Sequence, residues 1–343
     1  MTVLAAPPTL VHPVPWTRLA WVAWRRYRSV LVGTLLLLAA LSVYLLVTGN
    51  QLRSAYADVD QCQPPVSSSA CQIQWMGFVD KYGNTGFLGP FLLLLPGVIG
   101  VFAGAPLFGR ELETGTFRYA WTQGIGRMRL AIALIVPGAV GVVALMVGIG
   151  ALETWRAQPL ADAGIARRLE GSLFPTAGPA VAGWALLAFT GGVLAGLLWR
   201  RTVPALGSVF ALWFGLAFAA SRFRLHYLTP LTTTKGEPDP HDVVTGQWWT
   251  SGGVRVSDSD INSQLAALGV QMDGDGFHAQ AGPGSDAPPD PIEWLSQHGY
   301  TQVISYQPDH RYWTFQWIEL GWLLALSAAL LAITFWLLRR MSA

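Results

Sequence analysis

The sequence predicts an all-α polytopic membrane protein. Its elements are six transmembrane helices, an N-terminal interfacial helix, a short cytoplasmic helix, and a small α+β extracellular domain between helices 5 and 6. Hydrophobic residues make up 52% of the chain and charged residues only 12%, whereas soluble domains carry about 25% charged residues. Six apolar runs approach or reach the roughly 20 residues that cross a bilayer as helix. They span residues 29–48, 86–109, 131–151, 179–199, 204–220 and 317–338.

The distribution of charge predicts which ends of these helices face the cytoplasm. With a cytoplasmic N-terminus, the inner segments hold twelve arginines and only two acidic residues, Glu111 and Glu113. The remaining segments hold 10 basic and 18 acidic residues. Basic residues next to helix ends mark the cytoplasmic face. We therefore expect both termini in the cytoplasm, and four regions: 1–28, the helices of 29–220, an extracellular domain of 221–316, and 317–343.

The N-terminal segment has the pattern of an amphipathic interfacial helix. Aromatic residues occupy one helical face and arginines another, at Trp16, Trp24 and Tyr27 and at Arg18 and Arg25. Such a helix lies in the plane of the inner membrane surface. Two interpretations remain open, an anchor in the membrane surface and a contact with a partner protein.

The first apolar run is predicted to stay in the protein rather than to be removed as a signal peptide. A lead-in of 28 residues and an apolar run of 20 residues both exceed what a signal peptide with its core of about 7–15 residues uses. The alternative is cleavage near Ala57.

The first predicted extracellular loop contains both cysteines of the chain, Cys62 and Cys71. Two cysteines nine residues apart on the oxidising side of a membrane predict a local disulfide. The alternative is two free thiols. Their spacing is not that of a zinc site, and no metal site is predicted elsewhere.

The region 221–316 is long enough for a small folded domain. Residues 247–257 have the pattern of two strands around Gly252 and Gly253. Residues 260–268 and 291–298 are predicted helices, the second with a proline in its first turn. Neither a metal-binding histidine pair nor a serine-hydrolase elbow occurs in it, so no catalytic role is predicted.

The sequence indicates neither a nucleotide-binding motif nor the membrane-buried ionisable groups that couple transport to an ion gradient. It has no phosphate-binding loop, and its two lysines, Lys81 and Lys235, fall in extracellular segments. Glu153 and Glu319 lie near helix ends and are expected to reach the membrane interface, which disfavours coupling to an ion gradient. Energy for any active process is therefore expected from another subunit.

The cytoplasmic segment 110–129 is short, charged and punctuated by glycines. Glu111 and Glu113 are predicted in the first turn of a short helix, where acidic residues are favourable. Gly115 permits close backbone approach, and Thr116 can cap the next helical turn. The aromatic residues after Thr116 suit insertion into a cleft on a partner. The alternative is a helix that lies on lipid headgroups.

This segment resembles the Glu-x-Gly-Thr…Pro-x-Ser-Arg signature of ABC-2-type transporter permeases. Glu113, Gly115, Thr116 and Arg127 match it, while Gly124 and Gly126 replace the proline and serine. Residues 306–319 and the excess of arginine over lysine are similar to an actinobacterial branch of the family.

The resemblance implies that the segment forms a coupling helix that docks on an ATPase subunit. The residues expected to take part are Glu111, Glu113, Gly115, Thr116, Phe117, Arg118, Trp121 and Arg127. It further implies an exporter in a bacterial plasma membrane, built from two identical or related permease subunits and two cytosolic ATPase subunits. ATP and Mg²⁺ would bind in the ATPase, so no cofactor is expected in this chain. Membrane lipid is an expected partner and nucleic acid is not.

The expected cargo is an amphipathic or lipid-like molecule such as a drug, an antibiotic or a peptide. A competing hypothesis is a non-transport membrane sensor or assembly protein with an extracellular ligand-binding domain. It explains the region 221–316 equally well, but it does not explain the segment 110–129. A third hypothesis, an ion-coupled carrier, predicts transport that survives depletion of ATP.

Overall fold

The computed structural model describes residues 16–63, 68–83, 88–115, 127–169, 171, 173–266, 270–273, 276–279 and 290–340. The chain forms two compact units. The helical unit comprises Met1–Phe223 and Trp313–Ala343, and the sheet unit comprises Arg224–Tyr312.

Six long helices of the chain are apolar enough to cross a membrane, which confirms the six predicted spans. They are α1 (Trp16–Ala57), α3 (Leu88–Thr114), α4 (Arg127–Asp162), α5 (Ala180–Trp199), α6 (Thr202–Phe223) and α9 (Tyr312–Arg340). A shorter helix, α2 (Ser69–Tyr82), lies between the first two. The fifth apolar run has 17 residues, but helix α6 extends it to 22 residues.

Helix α1 runs for 42 residues without a break, or about 60 Å at 1.5 Å per residue. The helix therefore has no break at residues 28–29, and the predicted boundary there between an interfacial helix and the first span stays a prediction. The physical reason for the unbroken helix is that residues 16–32 contain no glycine or proline that would interrupt the helical hydrogen bonds. The side chains of residues 16–31 are outside the described ones, and their interfacial role stays a prediction.

Glycines bring α3 and α5 into backbone contact. Gly100 and Gly104 of α3 face the backbone of Ala185 and Phe189 on α5. In return, a Cβ added at Gly192 of α5 would lie 2.8 Å from the backbone nitrogen of Ala105. A three-residue interval between small residues lets membrane helices approach closely. This contact places α5, the most buried of the six helices, at the centre of the helical unit.

Helix α2 packs on the ends of α1 and α4 through a small cluster of buried apolar side chains. The cluster consists of Leu52, Val59, Trp75, Phe78 and Leu160. The structure joins Cys62 and Cys71 by a disulfide, with their Cα atoms 5.1 Å apart. The bond ties the start of α2 to the chain that leaves α1.

The sheet unit contains a four-stranded antiparallel sheet in the order β1-β6-β2-β3 and a separate hairpin, β4-β5. The strands are β1 (Leu231–Thr233), β2 (Val243–Ser251), β3 (Val254–Val256), β4 (Val270–Asp273), β5 (Gly276–Ala279) and β6 (Tyr300–Gln307). The unit also holds helices α7 (Asp258–Ala266) and α8 (Pro291–Gln297).

The predicted hairpin at Gly252 and Gly253 is confirmed. Both glycines have positive φ, 58° and 83°, as a two-residue hairpin turn requires. The side chain of Asp290 caps α8 by accepting hydrogen bonds from the backbone N–H groups of Ile292 and Glu293. Sequence reasoning missed β6, which pairs with both β1 and β2.

The glycine contact predicts a position-dependent effect of one added methyl group. Gly104→Ala should lower the free energy of unfolding by about 1–3 kcal/mol, because the methyl group meets the carbonyl of Phe189. Thermal unfolding in detergent measures it. Gly215→Ala is the matched control, since no described atom lies within 4 Å of a Cβ placed there. Equal stability of the two variants would contradict the close packing.

The disulfide predicts a mass difference after reduction and alkylation of the purified protein. Cys62→Ser should destabilise the segment that contains α2 by about 2–4 kcal/mol, because the open chain gains conformational freedom. Hydrogen exchange of α2 measures this loss. Thiol labelling of both cysteines without prior reduction would exclude the bond.

Candidate functional site

The structure describes part of the predicted coupling segment. Thr116, Phe117, Arg118 and Trp121 lie outside the described residues, and Arg127 begins α4 with its side chain also outside them. Glu111, Glu113 and Gly115 are described. The roles of all eight residues in docking stay predictions.

Glu111 and Glu113 lie in the last turns of α3 rather than in the first turn of a new helix, so that prediction is wrong. The reason is that α3 continues past Gly109 to Thr114. Gly115 then adopts a φ of +72°, the left-handed conformation with which many helices end. No described atom approaches within 4 Å of a Cβ placed on Gly115. Its conformation accounts for the glycine, and the predicted close approach stays a prediction.

The side chains of Glu111 and Glu113 differ in solvent exposure. Glu111 is 6% exposed and is thus enclosed by the helical unit, whereas the side chain of Glu113 is exposed. One carboxylate oxygen of Glu113, Oε2, accepts two hydrogen bonds from Thr202. The backbone N–H donates at 3.1 Å and the hydroxyl Oγ1 at 3.0 Å.

Thr202 is the first residue of α6. The first N–H groups of a helix have no partner within that helix, and the positive end of the helix dipole attracts a carboxylate. Glu113 therefore caps α6 from another helix. The backbones also touch here, since a Cβ on Gly109 would lie 3.4 Å from the Cα of Thr202.

A two-residue turn, Arg200 and Arg201, connects α5 to α6. Arg200 has a φ of 51°, a left-handed conformation that is uncommon for residues other than glycine. We use "Glu113 end" for the end of the bundle formed by Gly109, Glu113 and residues 199–202. Both exposed arginines of the turn belong to it.

Polar side chains of α9 are buried elsewhere in the helical unit. Gln316 is fully buried and connects α9 to the chain before α5. Its Nε2 donates to the carbonyls of Phe174 (2.9 Å) and Ala177 (3.1 Å), and its Oε1 accepts from the N–H of Ala180 (3.0 Å).

One turn further along α9, the buried Glu319 accepts a 2.7 Å hydrogen bond from the indole Nε1 of Trp184 on α5. The indole of Trp213 on α6 donates to the carbonyl of the same Trp184 at 3.0 Å. This cluster connects α5, α6 and α9 through buried tryptophans. No periodicity of the sequence indicated it.

Glu153 and Glu319, predicted to reach the membrane interface, are both buried inside the helical unit, and their depth in the membrane stays a prediction. They are 3% and 0% exposed. Glu153 is paired with Arg156 one turn later on α4, with Nε and Oε2 2.7 Å apart. Both carboxylates are buried because the fold supplies a donor to each, which compensates for lost hydration.

An apolar groove of about 410 Å³ lies between α1 and α4. Its lining includes Leu35, Leu38 and Ser42 of α1 and Leu145, Gly148 and Leu152 of α4. The hydroxyl of Ser42 donates a hydrogen bond to the carbonyl of Leu38 on its own helix. The groove therefore offers an almost entirely hydrocarbon surface.

The sheet unit has a polar depression of about 450 Å³. Carboxylates and imidazoles line it, among them Asp239, His241, Asp242, Asp309 and His310. Hydrogen bonds from the backbone N–H and the ring of His241 lower the pKa of the Asp239 carboxyl. Within the described residues, no three histidine, cysteine or acidic side chains are placed to hold a metal ion.

Comparison with known families decides the class of this membrane protein. Residues 35–224 match the family described as ABC-2 membrane transporter related. The match covers more than half of the chain, includes Glu113 and Thr202, and ends where the sheet unit begins. The chain belongs to this family. No curated protein and no solved structure matches it.

The chain is accordingly an ABC-2-type permease and a multi-pass membrane protein. Permeases of this family are membrane transport subunits, are generally not catalytic, and normally work with an ATPase subunit. The predicted resemblance to ABC-2-type permeases is confirmed. The actinobacterial branch stays a prediction.

The buried amide of Gln316 predicts a large effect of an apolar replacement. Gln316→Leu leaves two carbonyls and one N–H without their partner, and each buried unpaired group costs about 1–3 kcal/mol. We expect a fall of about 2 kcal/mol or more in the free energy of unfolding, measured by thermal unfolding in detergent. Gln72→Leu, at an exposed position of α2, is the matched control. Unchanged stability of the Gln316 variant would show that the three bonds contribute nothing.

Proposed function

We propose that this permease exports an amphipathic or lipid-like substrate, such as a drug, an antibiotic or a peptide, with energy from ATP hydrolysis in a separate subunit. The observation that carries the proposal is the position of Glu113. This glutamate, which belongs to the family signature, ends α3 and is hydrogen-bonded to the start of α6. A movement imposed on the segment 110–129 thus has a direct path into the helices.

The proposed assembly contains two permease subunits, identical or closely related, and two cytosolic ATPase subunits that bind ATP and Mg²⁺. The Glu113 end faces the cytoplasm, as does each terminus of the chain. Phe117 and Trp121 supply an apolar docking surface, and Arg118 and Arg127 supply positive charge beside it. Closure of the ATPase pair on ATP displaces this segment and tilts the helices, a conformational step that gates passage.

The groove between α1 and α4 supports the proposed substrate class. Its lining is apolar along both helices, and an apolar surface is complementary to hydrocarbon groups. A substrate with a hydrocarbon part therefore finds a complementary surface at membrane depth.

A second candidate function is that of a sensor or assembly protein whose sheet unit binds a ligand on the far side of the membrane. The depression lined by Asp239, His241 and Asp309 favours it. It leaves the signature residues of the segment 110–129 without a role. We therefore place it second.

Capture of the partner tests the proposed function. A tagged permease purified from native membranes should bring with it a protein that hydrolyses ATP. Phe117→Asp should weaken this association at least about tenfold, because a desolvated charge replaces an aromatic anchor at the interface. The ATPase activity of the purified sample and its protein composition are the measurements.

Val254→Asp provides the matched control. It introduces the same charge at a side chain of the sheet unit that is 70% exposed. It should retain the ATPase, with membrane insertion equal in both variants. If the unaltered permease carries no ATPase, or if Phe117→Asp retains it fully, docking by this segment is refuted.

A further inference from the structure

We infer that Glu113 is a positioning residue that transmits movement of the segment 110–129 to α6, and that it does so through Thr202 rather than by contacting the ATPase. The inference rests on the proposed function, because it concerns how the docked segment moves the helices. It assigns Thr202, which no sequence motif singled out, to the same mechanism.

The chemistry of the two helix ends supports a specific bond between them. A carboxylate at the end of α3 lies at the negative pole of that helix, where it is unfavourable. The same carboxylate is favourable at the start of α6, whose own first turn contains no acidic residue. Pro204 has no N–H to be capped. Glu113 thus relieves an unfavourable interaction of its own helix by capping the next one.

The position of Trp213 determines how α6 moves when Thr202 is displaced. Trp213 is fixed on α5 by its indole hydrogen bond to the carbonyl of Trp184. On its other side it fits against α3 so closely that a Cβ on Gly97 would lie 2.6 Å from its ring. Eleven residues, about 16 Å of helix, separate Trp213 from Thr202. Displacing Thr202 therefore tilts α6 about a fixed point at Trp213.

The test is a double-mutant cycle on the reconstituted permease and its ATPase in lipid vesicles. The variants are Glu113→Gln, which keeps the shape of the side chain and removes its charge, Thr202→Val, which removes the hydroxyl donor, and the two combined. Thr202→Ser keeps both donors and is the conservative control. The measurements are substrate transported per ATP hydrolysed, the amount of ATPase retained, and the thermal stability of each variant.

We expect Glu113→Gln and Thr202→Val each to lower transport per ATP about threefold, because the first replaces the exposed charged acceptor with a neutral one and the second removes one of its two donors. The double variant should lose less than the product of the two single losses, because both changes act on the same pair of residues. Thr202→Ser should behave like the unaltered protein. ATPase retention should remain unchanged in all four.

Two outcomes would overturn the inference. The first is normal transport per ATP in both single variants. The second is loss of the ATPase from Glu113→Gln but not from Thr202→Val, which would place Glu113 in the docking surface. Failure of the proposed function is a separate result, because then the unaltered permease itself neither retains an ATPase nor transports. If Thr202→Val does not insert, Thr202→Ala removes the same donor and takes its place.

Discussion

The helical unit depends on the contact of α3 with α5, where glycines let the two backbones meet. Between apolar helices in lipid there is no hydrophobic driving force, so association depends on close packing and on hydrogen bonds. Gly100 and Gly104 on one helix and Gly192 and Gly196 on the other supply that proximity. Since only two residues separate α5 from α6, this contact also determines where α6 begins. The meeting of Glu113 with Thr202 is thus a consequence of glycine packing further along the same helix.

Buried polar groups provide the second constraint. An apolar medium offers no water to a carbonyl or an amide, and each group therefore has to find its partner within the protein. Gln316 satisfies two carbonyls of the irregular chain before α5 and the first N–H of α5. Glu319 satisfies the indole of Trp184. These bonds specify which face of α9 packs inward, a choice that the apolar residues on every face of the helix leave open.

The six spans and the glycine hairpin were predictable because length, hydropathy and turn chemistry are local properties. The β-branched and aromatic residues of β6 were a local strand signal that sequence reasoning missed. Its central place in the sheet was not predictable, since its partner β2 lies more than 50 positions earlier in the chain. The burial of Glu153 and Glu319 was unpredictable for a similar reason. A carboxylate near a helix end is expected to be exposed unless its donor is known.

At the candidate site, the motif in the sequence identified Glu113 but predicted it at the wrong helix end. The apolar run stops at Gly109, whereas the helix continues to Thr114 and stops there because Gly115 adopts the left-handed conformation. Thr202 carried no signal at all. A threonine after two arginines becomes informative only when a carboxylate 89 positions away accepts its hydrogen bonds.

The position of Gln316 has a consequence for biogenesis. Its amide bonds to the carbonyl of Phe174, 142 residues earlier in the chain, and the whole sheet unit is translated between the two. While the ribosome completes that unit, the carbonyls before α5 have to rely on interfacial water or on the insertion machinery. Release of the helical unit from that machinery should therefore wait for α9, and a truncated nascent chain is the species that cellular quality control would recognise.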